Sequence, residues 1–190
     1  MSSEQSSSVY QLKVTLTGAK PPIWRRILVP AVMDLGSLHK VLQIVMGWYN
    51  CHLHQFIAVG MTFGVPDDEF GNEFKDEDET DFTVSQVLRK AKDSLTYEYD
   101  FGDSWKHKIV LEKILPFDSS VSVPRCIKGK RACPPEDCGG VWGYEQLIET
   151  IQDPSHPEHK DMLEWVGGEF DPEHFDMEEI NAILLEYSEQ

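Results

Sequence analysis

The alternation of apolar and polar residues predicts a chain built first from β-strands and then from helices. In residues 10–16, apolar side chains occupy every second position, which is the pattern of a strand with one buried face. Strands are predicted for residues 10–16, 23–29, 52–59, 95–101 and 105–114. The first two are close enough in sequence to pair as an antiparallel hairpin. Gly102, Asp103 and Ser104 predict the turn of a second hairpin between the last two.

Apolar residues spaced three and four apart predict the helices. This spacing fills residues 38–46, between Ser37 as a predicted N-cap and Gly47 as a predicted C-cap. Thr83 and Gln86 form a capping box for a short helix through residue 91. Three further helices are predicted for residues 144–152, 157–166 and 176–187, and residues 116–143 are expected to have little regular structure.

This order of elements favours an α+β fold over a doubly wound one, because the helices are collected at the C-terminal end. We expect a mixed or antiparallel sheet of about five strands packed with helices, and a helical C-terminal segment. Residues 1–8 are polar and rich in serine, so they are expected to form a disordered tail. Residues 9–190 are expected to form a single domain, since 41% hydrophobic residues can build a core of that size.

The formal net charge is −16. Such a charge disfavours nucleic acid as the main partner, because affinity for a phosphate backbone comes largely from Lys and Arg. The charge is concentrated in residues 67–81, which hold nine acidic residues against one lysine. This acidic loop is therefore expected to interact with a basic protein partner.

The polar start of the chain and the absence of a run of ~20 apolar residues predict neither a leader nor a membrane helix. We therefore expect a cytoplasmic protein without membrane contact. In that compartment the four cysteines are expected to be reduced.

His52 and His54 are candidate metal ligands. Residues two apart on a strand share a face, and paired imidazoles on one face are a common start of a metal site. The alternative is a pair of polar residues at a strand edge that faces solvent.

Asp103 and His107 belong to the predicted second hairpin. A carboxylate such as Asp103 can accept the N–H of a histidine and fix its tautomer, so His107 is a candidate ligand and Asp103 a candidate catalytic or orienting group. The alternative is a histidine within the core, because His107 alternates with apolar residues along its strand.

Cys126, Cys133 and Cys138 are candidate zinc ligands in a loop rich in proline and glycine. Only the second pair has a spacing near that of structural zinc sites, and a fourth ligand from Cys51 or a histidine would be needed. The alternative is a loop with buried thiols. Glu136 and Asp137 are candidate general acid or base groups, against the alternative of two exposed carboxylates.

Five short strings, in order along the chain, resemble one family, the root-inducing-plasmid open-reading-frame-three-like family of insertion-element passenger proteins. They lie at residues 21–26 (Pro-Pro-Ile-Trp-Arg-Arg), 38–39 with 46–48, 52–56 (His-Leu-His-Gln-Phe), 97–107 (Tyr-Glu-Tyr-Asp-Phe-Gly-Asp-Ser-Trp-Lys-His), and 133–140 (Cys-Pro-Pro-Glu-Asp-Cys-Gly-Gly) with 143–144. The resemblance implies an α+β domain without an established activity and an association with mobile elements. The recurring strings coincide with the His, Asp and Cys residues singled out above.

Three functions follow as hypotheses. The preferred one is a non-catalytic binding or interaction domain. The second is a zinc-binding protein or metal-dependent hydrolase that uses the His, Asp and Cys cluster, with Glu136 activating a metal-bound water. The third is a DNA-processing protein of the resolvase kind, which the resemblance implies for some members. It is disfavoured, because recombinases need a nucleophile amid several arginines. It would also need a local basic face, for which the candidates are Arg25, Arg26, Arg125, Lys128, Lys130 and Arg131.

Overall fold

The computed structural model describes residues 8–66 and 77–189. It contains eight strands in one sheet: β1 (Ser8–Leu16), β2 (Trp24–Pro30), β3 (His54–Ala58), β4 (Met61–Gly64), β5 (Glu77–Asp78), β6 (Ser94–Tyr99), β7 (Trp105–Pro116) and β8 (Arg125–Lys130). Their order in the sheet is β5-β4-β3-β6-β7-β1-β2-β8. The predicted tail, residues 1–8, lies outside the described residues except for Ser8, which already belongs to β1.

The two predicted hairpins are present. β1 pairs antiparallel with β2, and β6 pairs antiparallel with β7. The sheet is mixed, because β4 pairs parallel with β5 while the other pairs are antiparallel. The α+β class is therefore confirmed, with more strands than the sequence pattern indicated.

The core lies on one face of this sheet. Alternate residues of β1, from Tyr10 to Leu16, and of β7, from Trp105 to Leu111, are buried there. Residues Leu38, Val41, Leu42 and Val45 of helix α1 (Leu35–Met46) belong to the same cluster. Burial of these branched and aromatic side chains is the main source of stability for such a domain.

Helix α1 begins three residues earlier than predicted, because its N-cap is Asp34. The Asp34 carboxylate accepts a hydrogen bond from the Ser37 backbone N–H at 2.8 Å, so the predicted cap, Ser37, lies inside the first turn. Gly47 ends the helix in the left-handed conformation, as predicted. The capping box of Thr83 and Gln86 is also present, but helix α2 (Val84–Val87) is a single turn and not the longer helix expected.

Two other predictions of secondary structure were wrong. The segment expected to have little regular structure contains β8, and helix α3 (Gly140–Gln152) begins before the predicted start at residue 144. Helices α4 (His159–Trp165) and α5 (Met177–Ser188) lie where helices were predicted. Of the predicted acidic loop, residues 67–76 lie outside the described residues. The remainder forms β5 and one 3-10 turn, Glu79–Asp81.

Across residues 8–66 and 77–189, every helix is too short or too polar to cross a bilayer.

Candidate metal centre

The site forms where three loops meet: the segment before β3, the turn between β6 and β7, and the loop that leads into α3. The Gly139 N–H donates to Asp103 Oδ2 at 3.0 Å, which joins the third loop to the hairpin turn. A Cβ at Gly140 would lie 2.6 Å from the Asp103 carbonyl oxygen, and one at Gly143 would overlap the Cys138 carbonyl oxygen. Glycine at these two positions therefore allows the backbone contacts that close the site.

His52 lies at the centre of this junction. Its Nε2 atom is 3.2 Å from Asp137 Oδ1, 3.7 Å from Asp100 Oδ2 and 3.8 Å from Glu136 Oε2. The Nε2 atom is buried and has no hydrogen-bond partner among the described residues. Three carboxylates thus surround one unsatisfied imidazole nitrogen.

Backbone and side-chain hydrogen bonds hold Glu136 in place. Its Oε1 atom accepts from the Tyr49 backbone N–H at 2.9 Å and from the Tyr99 hydroxyl at 3.1 Å. Its Oε2 atom is buried and makes no hydrogen bond within the described part of the chain. Burial is the main cause that raises the pKa of Tyr99, so its hydroxyl stays protonated and able to donate at neutral pH.

Tyr99 also positions the cysteine beside His52. The Cys51 backbone N–H donates to the Tyr99 hydroxyl oxygen at 3.0 Å, and the Cys51 sulfur lies 3.8 Å from the same oxygen. The ring of Tyr99 meets the His52 ring edge to face, with centroids 5.7 Å apart. One buried tyrosine therefore orients His52, Cys51 and Glu136 together.

Asp100 is fixed by the hairpin turn. Its N–H donates to the Leu53 carbonyl at 2.8 Å, and its Oδ1 atom accepts from the Gly102 N–H at 2.8 Å. The other oxygen, Oδ2, is the one that faces His52. Asp100, Asp137 and Asn50 all have positive φ angles, of 58°, 57° and 54°. Left-handed conformations at residues other than glycine cost energy, and they concentrate at functional sites.

The cluster contains side chains of types that bind metal ions, at short distances from one another. There are two groups of such side chains among the described residues, and within each group all ligand atoms lie within 4.8 Å of one another. The first group is Cys51, His52 and Glu136, and the second is His52, Asp100 and Asp137. Ligand atoms in a tetrahedral zinc site are separated by about 3.4 Å, as follows from bonds of 2.0–2.3 Å. His52 is the residue that the two groups share.

His54 lies apart from this cluster. His52 precedes β3, so the alternation that places residues two apart on one face does not extend to it. The His54 Nε2 atom lies 2.8 Å from Glu79 Oε2, and the His54 ring stacks on His39 with centroids 3.4 Å apart. Burial, reinforced by His54, lowers the pKa of His39 to about 4.

His107 lies within the core. Its ring packs against Trp48 and Tyr97, with centroid separations of 5.2 Å and 5.4 Å. Neither ring nitrogen makes a hydrogen bond of normal geometry within the described residues, although the nearby backbone of Tyr97 and Trp105 partly offsets the effect of burial on the pKa of His107. Burial lowers the pKa of His107 to about 4, so it is neutral at physiological pH.

Of the three predicted zinc cysteines, Cys126 is buried, and Cys133 and Cys138 are half-buried. Burial raises the pKa of Cys126 and Cys133, and it raises the pKa of Cys138 to about 12. The Cys126 sulfur lies 3.7 Å from the Lys128 carbonyl oxygen. Within residues 8–66 and 77–189, the groups with metal-binding geometry include none of these thiols, and neither His54 nor His107. A role of these five residues in metal binding stays a prediction.

The structure thus gathers His52, Glu136 and Asp137, and it adds Asp100 and Tyr99, to which the sequence pattern assigns no role. It also adds Cys51, which the sequence offers only as a possible fourth ligand for the zinc site of Cys126, Cys133 and Cys138. Asp103 joins the loops and does not contact the histidine. Asp100 differs from Asp103 only in its place within the same turn, and alternation cannot reveal which carboxylate of a turn faces inward. The signal for Cys51 was its place next to His52.

A groove begins at the edge of this cluster. It lies between α3 and α4, with a volume of about 730 Å³, and Asp137 belongs both to the cluster and to the groove. Its lining also includes Cys138, Glu149, Asp153, Glu158 and Trp165.

The fold and the site together define an α+β domain with a polar cluster at the end of its central hairpin. The chain belongs to the plasmid pRiA4b ORF-3-like protein family, which it matches over residues 8–179. It is 41% identical, over 85% of its length and 82% of the relative, to the uncharacterized protein y4hQ of Sinorhizobium fredii. A crystal structure of the protein of unknown function MM3350 from Methanosarcina mazei is also similar, with 41% identity, a TM-score of 0.81, and coverage of 91% of this chain and 96% of that one.

Proposed function

We propose that this protein is a metal-binding domain. Its site consists of His52, Asp100, Glu136 and Asp137, with Cys51 as a further ligand. The observation that carries the proposal is the buried His52 Nε2 atom, which has no hydrogen-bond partner among the described residues and faces three carboxylates at 3.2–3.8 Å.

Electrostatics supports a cation at this position. The three carboxylates form no ion pair with a lysine or arginine within the described part of the chain, and their one cationic neighbour is His52 when protonated. Carboxylates gathered without compensating charge repel one another. A divalent ion between them removes this repulsion and satisfies the free Nε2 and Oε2 atoms at once.

The ligand types point to zinc. Imidazole and carboxylate suit zinc, manganese and iron alike, whereas a thiolate favours zinc over manganese. Magnesium and calcium prefer sites made of oxygen atoms alone. The hydrogen bonds from Tyr49 and Tyr99 to Glu136 are the outer contacts that orient the ligands of metal sites.

A metal-dependent hydrolase is the second candidate. The groove that begins at Asp137 favours it, because a substrate bound between α3 and α4 would reach the cluster from that side. In such an enzyme one metal position stays open for water, and a carboxylate outside the first coordination shell accepts its proton.

The proposal is tested by metal titration of the purified, tag-free protein after treatment with a chelator. Calorimetry with Zn²⁺, Mn²⁺ and Mg²⁺ should show one zinc ion per chain and weaker binding of the other two. The variant His52→Ala should lose more than the roughly 10- to 100-fold in affinity that removal of an outer contact costs. The variant His174→Ala, which removes an exposed histidine from another part of the surface, is the matched control and should bind zinc normally.

Two results would contradict the proposal: a zinc stoichiometry well below one, or equal losses for His52→Ala and His174→Ala. The first would leave the cluster without a bound metal. The second would place zinc at scattered surface groups.

A further inference from the structure

One face of the sheet is basic, although the chain as a whole is acidic. The face opposite the core carries lysines and one arginine from four neighbouring strands, and we call it the basic face. Its cations are Lys13 of β1, Arg26 of β2, Lys106 and Lys108 of β7, and Lys128 and Lys130 of β8.

The strand register places these side chains together. In antiparallel pairs, directly opposite residues point to the same face. Lys13 lies opposite Arg26, and Arg26 lies opposite Lys128. Trp24 on β2 and Lys108 on β7 point to the same face, because both lie opposite Thr15 of β1.

This face is accessible. Lys106, Lys108, Lys128 and Lys130 are exposed, and Lys13 is half-buried. On β7, the residues that alternate with these lysines, His107 and Ile109, point to the core and are buried.

Most of this positive charge is not neutralised. Arg26 is paired with Glu112 at 2.6 Å, and Lys106 lies 3.7 Å from Glu98. Lys108, Lys128 and Lys130 form no ion pair within residues 8–66 and 77–189. The net charge of −16 is therefore distributed unevenly, and a polyanion approaching this face meets an attractive local field.

An aromatic ring lies within the basic face. Trp24 is half-buried, and both Lys13 and Arg26 contact its ring, with the charged groups 5.5 Å and 5.3 Å from the centroid. Stacking of a nucleobase on an aromatic ring is the usual way in which a sheet holds an unpaired strand.

A shallow cavity extends the same face. Its volume is about 620 Å³, and Lys92 and Lys113 add two further cations to its lining beside Arg26 and Gln11. The positive surface therefore continues beyond the four strands.

We propose that the basic face binds single-stranded nucleic acid. The lysines contact successive phosphates and Trp24 stacks on a base. A flexible single strand can follow an exposed sheet face over several phosphates, whereas a rigid duplex is a cylinder and touches such a face along a narrow line. An acidic polypeptide would use the lysines but has no base for Trp24. This inference is independent of the metal site.

The test measures binding of fluorescently labelled oligo(dT) of about 20 nucleotides, which exceeds the usual site size of one such domain. Fluorescence anisotropy is recorded at several salt concentrations from low to physiological. Three to four phosphate contacts predict that log K falls with log[salt] with a slope between about −2 and −3. The unlabelled competitors are the same oligonucleotide, its duplex with oligo(dA), and polyglutamate.

Two variants of equal charge change identify the surface. The double variant Lys108→Glu and Lys128→Glu should weaken binding at least tenfold and make the salt slope less negative by about one or more. The control, Lys40→Glu and Lys160→Glu, reverses two exposed lysines on helices α1 and α4 and should change affinity less than threefold. Trp24→Leu should weaken binding of oligo(dT) and leave that of polyglutamate unchanged.

The inference is overturned if oligo(dT) does not bind at low salt, or if both double variants lose affinity equally. It is also overturned if the duplex or polyglutamate competes better than the single strand, which would assign the basic face to that partner instead.

Discussion

The buried His107 predicts a loss of stability in mild acid that one substitution should reduce. A folded-state pKa of about 4 against an ordinary value of 6.5 means that, between these two values, the unfolded chain binds a proton that the folded chain rejects. The free energy of unfolding therefore falls as the pH falls from 6.5 to 4. At 1.36 kcal/mol per pKa unit, His107 alone accounts for about 3 kcal/mol of this loss. That is a large part of the roughly 5–15 kcal/mol that stabilises an ordinary domain.

The variant His107→Phe isolates this contribution. Phenylalanine fits the aromatic environment of Trp48 and Tyr97 and carries no ring nitrogens to leave unsatisfied. Replacing an unsatisfied buried polar group by an apolar one is close to neutral or stabilising, so the variant should be at least as stable at pH 7. Between pH 6.5 and 4 it should lose about 3 kcal/mol less than the parent.

Urea denaturation followed by circular dichroism, at half-unit steps from pH 7 to 4, measures both quantities. His174→Phe, which replaces an exposed histidine, is the control and should retain the pH dependence of the parent. If His107→Phe loses as much stability in acid as the parent does, then His107 is not kept neutral by burial.

Three further predictions concern the core and the loops. Tyr97→Phe removes a buried hydroxyl that bonds His39 Nδ1 at 2.8 Å and Gln43 Nε2 at 2.9 Å, so urea denaturation at pH 7 should show a loss of about 1–3 kcal/mol. Gly143→Ala places a methyl group against the Cys138 carbonyl, and we expect it to lower stability by about 1–3 kcal/mol and to weaken zinc binding in the same preparation. The hydrogen bond from Arg26 lowers the pKa of Glu112 to about 2, so ionised Glu112 stabilises the folded protein at neutral pH. The parent should lose this stabilisation as the pH falls below 4.5, and the variant Glu112→Gln, which lacks it, should not. A folded, zinc-saturated Gly143→Ala protein, or unchanged denaturation curves for the other two, would contradict these assignments.

The elements with strict periodicity could be predicted from the sequence. β1 from Leu12 to Leu16 and β7 from Trp105 to Glu112 alternate in burial, because one face packs in the core and the other does not, so period and burial agree there. β8 could not be predicted in this way. It is a short edge strand whose alternation is interrupted by a register shift between Arg26 and Ile27 of its partner strand. The start of α1 was predicted wrongly because Asp34 and Ser37 are both good N-cap residues. The N-cap is the one whose backbone is extended, and in the structure this is Asp34.

The types of residue in the candidate site could be predicted from the sequence. Which individual residues meet there could not. His52, Glu136 and Asp137 meet because glycines allow the Cys138 loop to approach the hairpin turn, and this approach spans more than eighty positions of the chain. His54 was assigned to the same site by alternation, which does not apply to a residue pair that straddles the start of a strand.

The residues of the basic face also could not be predicted from the sequence alone. The candidates for a basic surface in the sequence are Arg25, Arg26, Arg125, Lys128, Lys130 and Arg131. Arg25 and Arg131 are buried, and Arg25 donates to the carbonyl of Val45. Lys108 belongs to the basic face because β7 pairs with β1. The net charge of −16 gives no sign of such a local concentration of lysines.

The most direct test of the metal site is a crystal structure of the zinc-loaded protein, with anomalous differences collected on both sides of the zinc absorption edge. A peak is expected about 2.0–2.2 Å from His52 Nε2 and from at least two of the carboxylates of Asp100, Glu136 and Asp137. An ordered cluster without a zinc peak, or a peak bound by Cys126, Cys133 and Cys138 instead, would contradict the account.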